Sequence, residues 1–140
     1  MKRALIFSSL FLAMVAGWGA QTLWAKHLEE ANRTFELRIY SVLPGRMDAM
    51  NARFKNHTNG LLTKHGMTLI GFWQPQGDDA GKKLYYLVAH KNRKAADASW
   101  KAFIADPEWK KVQTASEADG KIVEKVDRVW LDPTEYSMMK

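Results

Sequence analysis

The stretch Ile122-Val123-Glu124-Lys125-Val126-Asp127-Arg128-Val129-Trp130-Leu131 (IVEKVDRVWL) decides the fold, because it admits two readings. Ile122, Val126, Val129 and Trp130 recur at helical spacing, while the β-branched content and the Gly120 and Pro133 bounds favour a strand. As a strand its parity is imperfect, since one face would carry Glu124 and Arg128 among apolar residues. The elements before it have to arbitrate.

Those elements read clearly. Phe35 to Val42 (FELRIYSV) alternates apolar and polar with period two and stops at Pro44-Gly45, which predicts a strand with Phe35, Leu37 and Ile39 on one side and Arg38 and Tyr40 on the other. From Arg46 the period changes: Met47, Met50, Phe54, His57, Leu61 and His65 recur at steps of three and four and share one stripe of a helix. Gly66 is the expected left-handed terminator, and Gly60 inside the helix predicts a kink or a close contact. Met67 to Trp73 and Leu84 to His90 predict two strands joined by the turn-rich QPQGDDAGKK. Ala96, Trp100, Phe103 and Ile104 form a helical face, and Asp106-Pro107 supplies an N-cap and first-turn proline for a further short helix carrying Trp109 and Val112.

The order β-α-β-β-α is one strand short of the split βαβ pattern. Reading 122–131 as that strand completes a ferredoxin-like βαββαβ fold, an α+β domain whose antiparallel sheet carries both helices on one face. The other face then has no cover within the domain, although it would carry Tyr40 and several large apolar groups. An exposed face of that kind implies a partner, most simply a second copy in a two-fold dimer.

In their order and spacing, FELRIYSVLPG, the helix with His57, KHGMTLIGFW, LYYLVAH, ADPEW and WLDPTEYS resemble the NIPSNAP family. The resemblance spans about 35–137. It implies a dimeric α+β barrel, in which two ferredoxin-like units join their sheets, and a strand for 122–131. It implies no defined activity, and the family's name, borrowed from a phosphatase association, is no evidence of phosphatase chemistry. Other proteins of the α+β barrel class include cofactor-free monooxygenases and haem-binding proteins with ligands between sheet and helices, an analogy of fold alone.

Ahead of the domain, Lys2 and Arg3 precede an apolar run from Ala4 to Ala20, so residues 1–25 are expected to be a secretory signal peptide or an uncleaved N-terminal anchor, followed by a linker over 26–34. An exported location, periplasmic or secreted, follows, with membrane attachment only if the segment stays uncleaved. Losing Lys2 and Arg3 lowers the formal charge of +6 to about +4, too diffuse for a nucleic-acid footprint. With no cysteine, disulfides, thiolate catalysis and cysteine-based zinc sites are excluded.

The histidines dominate the candidate chemistry. His57 and His65 are eight residues apart, about 12 Å along a helix, too far to hold one metal ion. His57, on the apolar stripe, is expected to point at the sheet, either as a buried neutral imidazole or as a ligand-binding or proton-transferring group. His65 is expected at the helix C-terminus, where the dipole and free carbonyls favour it. His90 ends a strand with no acidic partner at ligand spacing, and Glu36 reads as a surface acid. Arg38 and Tyr40 share a strand face and offer a cation and a phenol to an anionic or aromatic ligand, or else contacts across a dimer. Trp73 completes the candidate ligand-binding set with His57, Arg38 and Tyr40. No phosphate-cradling glycine loop, nucleophile elbow, HExxH or EF-hand loop is present. Two readings stand at this point. One is an exported dimeric module that is non-catalytic and binds a small apolar or aromatic ligand or acts in interactions, with no cofactor or metal; the other is a cofactor-free oxygenase-like or isomerase-like enzyme, or a haem protein, built on His57.

Overall fold

The computed structural model describes residues 33–140; the leader expected at 1–25 and most of the linker expected at 26–34 lie outside the described residues. Four strands, β1 (Thr34–Val42), β2 (Thr68–Trp73), β3 (Lys83–His90) and β4 (Val123–Leu131), form one sheet in the order β2-β3-β1-β4, with every neighbouring pair antiparallel. Between β1 and β2 runs one helical rod made of α1 (Met47–Arg53), a π-helical turn (Phe54–Thr58) and α2 (Asn59–Lys64). Between β3 and β4 come α3 (Arg93–Ala105) and α4 (Pro107–Ser116). This is the ferredoxin-like α+β arrangement, with each helical crossover skipping one strand.

The ambiguous segment is a strand, and its imperfect parity has a structural cause. Lys125 faces Ser41 but Val123, not Glu124, faces Val42, so β4 carries one extra residue against β1. Such a bulge moves Val123 onto the same side as Val126, Arg128 and Trp130. The helix predicted from Met47 ends where expected: Gly66 has φ +80° and His65 donates its amide to the Leu61 carbonyl at 3.1 Å. Gly60 makes no close contact, since a Cβ there would meet nothing within 4 Å, and the irregularity of the rod is the π segment that ends at Thr58, two residues before it. Asp106 caps α4 as its sequence predicts, its side chain accepting from the Glu108 amide at 2.8 Å. Ile104 departs from the expected helical face and is exposed.

The sheet faces are reversed relative to the sequence reading. Cross-strand pairing sets Glu36, Arg38 and Tyr40 beside Val88, Tyr86 and Leu84, and this side carries the helices: Trp100 of α3 bonds to Glu36, and Phe54 packs edge-on against Tyr40 and Tyr86 at 5.8 and 5.2 Å. Burial of Met50, Leu62, Tyr86 and Val88 marks the core between the two layers. Truncating Leu62 to alanine there would cost about 2–5 kcal/mol. Phe35, Leu37 and Ile39 therefore look away from the helices, with Leu87, Tyr85, Val129, Leu131 and Trp73 beside them. No described helix covers that side. Period-two alternation identifies two faces but does not say which is the core, and here a polar trio with partners lies inside.

Candidate functional site

Four side chains were singled out by sequence, and the fold brings two of them together. Arg38 and Tyr40, two residues apart on β1, lie beneath α3; the Arg38 guanidinium sits 4.1 Å from the Trp100 ring centroid and 5.7 Å from that of Tyr40. His57 and Trp73 are elsewhere. Trp73 stands 54% exposed on the open sheet face, its indole folded over Gly71 so closely that a Cβ there would lie 2.7 Å from the ring. His57 is exposed, contrary to its expected place against the sheet, because the π turn accommodates one more residue per turn than an α-helix. The turn brings Thr58 rather than His57 inward beneath Phe54, and Thr58 is buried with its hydroxyl donating to the Arg53 carbonyl at 3.2 Å.

At the centre of the Arg38 cluster is a residue taken from sequence for a surface acid. Glu36 is fully buried and accepts hydrogen bonds from Arg38 Nη1 at 2.9 Å, from the Trp100 indole N–H at 2.5 Å and from His90 Nε2 at 3.1 Å, with Arg128 Nε 4.0 Å away. The antiparallel register makes this meeting: Glu36 pairs with Val88, which places His90, two residues on, along the same face. His90 thus has an acidic partner distant in sequence, in contrast to its sequence reading. Burial works to raise the Glu36 pKa, but the hydrogen bonds from His90, Arg38 and Trp100 outweigh it and hold the carboxyl below its ordinary value. The Arg38 guanidinium feels burial in the opposing sense, yet neighbouring Tyr40, Tyr86 and Glu36 raise its pKa, so it stays cationic.

Beside this cluster the Tyr86 hydroxyl donates to that of Tyr40 at 3.1 Å, and burial, foremost, pushes the Tyr86 phenol up in pKa. Each Glu36 oxygen already has its donors, so the carboxylate has little capacity left for a substrate proton. The arrangement ties β1, β3 and α3 together. The opening alongside it, lined by Tyr40, Phe54, Trp109 and Val126 between β4 and the helices, measures about 190 Å³. That is small against the ~300–1,000 Å³ of ordinary ligand pockets.

A second ionic tie closes the helical layer. Asp106 receives Lys64 Nζ at 2.9 Å and lies 2.7 Å from His65 Nε2, so the end of α2 is bound to the start of α4. Those contacts, Lys64 first, hold the Asp106 carboxyl well below the usual carboxylate range. His65 is therefore a helix-end residue, as its position in sequence implies, with an added carboxylate partner. Among the described residues no cluster of three or more histidine or acidic side chains could hold a metal ion.

The sheet face away from the helices is open. Trp73, Val129 and Leu131 are 54, 42 and 40% exposed on it, with Leu37, Ile39, Tyr85 and Leu87 between them. Single exposed apolar residues are ordinary on a protein surface, whereas here they lie side by side across four strands.

Solved structures share this architecture. A NIPSNAP-like domain protein from Burkholderia xenovorans is 16% identical, with a TM-score of 0.67 over 76% of this chain and 90% of its own. A second NIPSNAP domain protein from the same organism is 18% identical, with a TM-score of 0.64 over 74 and 97%. A NIPSNAP family protein from Agrobacterium tumefaciens is 15% identical, with a TM-score of 0.69 over 79 and 96%. No curated protein matches the chain. The NIPSNAP family model matches residues 35–138, a span that takes in the four described strands, but for Thr34, and every helix described above, and the chain belongs to the NIPSNAP family.

Proposed function

We propose that the protein is an exported, non-catalytic interaction module that works as a homodimer, two copies joining their open sheet faces into one barrel. The observation that carries this reading is the apolar face of Leu37, Ile39, Trp73, Leu87, Val129 and Leu131, which no described helix covers. A two-fold axis through such a face buries it against an identical surface with no further chain required. Sheets packed face to face sit ~10 Å apart, a spacing that interdigitated Leu, Ile and Val side chains fill.

The export part rests on Lys2, Arg3 and the apolar run Ala4 to Ala20. The catalytic alternative, with His57 as general base, has weaker support: the imidazole is exposed on the helix side rather than enclosed beside Arg38 and Tyr40. A base needs to be within hydrogen-bond reach of the proton it takes, in a site that excludes water. Multi-angle light scattering on the purified protein is the direct test. We expect twice the chain mass at micromolar concentration; a stable monomer overturns the reading.

A further inference from the structure

We propose that the groove between the α1–π rod and α4 is a binding site for a small amphipathic carboxylate. The groove lies on the helix side of the domain and has a volume of about 550 Å³, within the range of small-molecule sites. Its floor is apolar and low, made by Ala49 and Ala52 from α1 and Val112 and Ala115 from α4. On each helix the two residues are three apart and so share one face, and the two faces line the opening together. Small side chains on both sides leave room there for a guest chain or ring.

The polar groups around that floor favour an anion. Arg53 lines the groove although it is only 4% exposed; its Nη1 donates to Glu117 at 3.1 Å, while its Nε finds no acceptor among the described residues. A buried guanidinium N–H left without a partner is destabilising, and a ligand oxygen would satisfy it. Lys111 stands on the rim and no described residue pairs with it. Two acids lie at the groove, Glu108 in its lining and Glu117 beside it, and both are engaged by cations, Glu108 by Lys64 at 3.2 Å and Glu117 by Arg53. The groove therefore presents cationic donors over an apolar floor, which is the complement of a carboxylate with a hydrocarbon or aryl tail.

The π turn joins these features. By turning Thr58 inward it releases His57 and Asn56 to the groove, where both line the opening. A single π turn within an α-helical rod is a recurrent mark of a functional position. In this assignment Arg53 and Lys111 hold the carboxylate, His57 and Asn56 border it, and the tail lies along the alanines.

Isothermal titration calorimetry with octanoate, beside octanol as the uncharged analogue, tests the assignment. Octanoate should bind at submillimolar concentration and octanol about tenfold or more weakly, since a charge-assisted contact is lost. Lys111→Met keeps the aliphatic stem and removes the charge, and should weaken octanoate about tenfold with an unchanged melting temperature. Ala115→Leu should block binding of both by filling the floor. Absence of octanoate binding overturns the proposal, and so does equal binding of octanol or indifference to Lys111→Met. Octanoate binding that dissociates the dimer points to the sheet face and likewise overturns it. Since the groove and the sheet face lie on opposite layers, light scattering separates failure here from failure of the dimer.

Discussion

Glu36 meets two cationic or donor-rich neighbours, Arg38 and His90, in a place without solvent, so its charge matters more than its shape. Glu36→Gln keeps the volume and leaves Arg38 buried against a neutral amide; breaking a buried ionic contact from one side costs about 3–5 kcal/mol, and urea unfolding at pH 7 should show a loss of that order. The pH dependence has a definite sign. Because the folded-state pKa lies below the ordinary 4.5, the unfolded chain takes up the proton first; the stabilisation is complete above about pH 4.5 and is lost as pH falls through the lowered folded value. Wild type should therefore lose more stability than Glu36→Gln between pH 5 and 3, and parallel curves would contradict the role. Little of this was legible beforehand: Glu36 and His90 are 54 residues apart, and only the strand register reveals that they touch. Gly71 offers a second test at this scale. A methyl there meets the outer edge of the Trp73 ring at 2.7 Å, so the indole must shift; Gly71→Ala should change the tryptophan emission and, because Trp73 stands on the face proposed to join two copies, weaken self-association in light scattering.

In the rod from Met47 to Lys64, the five-residue π turn has taken in one residue more than an α-helix would need to keep Phe54 and Leu62 on the core side. Deleting Lys55, which is exposed, should convert the rod to continuous α-helix with both flanking core stripes preserved. The variant should fold with circular dichroism and melting temperature equal to wild type or higher; an unfolded product would mean that the turn is required for packing. Sequence periodicity found the rod, its glycine stop and the capped start of α4, since each depends on residues within one turn. It misplaced His57, because three- and four-residue steps presume a uniform helix. It also left 122–131 open, since a bulge at Glu124 breaks the alternation that identifies a strand. Competition among whole folds, not local pattern, assigned that segment correctly.

For the molecule entire, the proposed joining of two open sheet faces predicts that stability depends on association. Binding of folded partners stabilises them by mass action, so the melting temperature of wild type should rise with protein concentration over a hundredfold range. Leu37 lies at the middle of the face, opposite Leu87 and Val129. Leu37→Lys leaves a lone folded chain able to extend the ammonium into water but sets two like charges against each other across a two-fold axis. We expect a monomer by light scattering whose melting temperature no longer varies with concentration. A dimer of undiminished mass would place the self-contact elsewhere. The position of β1 has another consequence, this one in time. It is the first of the described strands to be made, yet it lies inside the sheet, and its two neighbours are β3 and β4, with Phe35 paired to Leu131. Contacts so distant along the chain are slow to form, and β1 cannot complete its hydrogen bonds until nearly the whole polypeptide has been synthesised. Until β4 emerges, one edge of β1 stays unpaired, so the sheet closes only after Leu131 has been made.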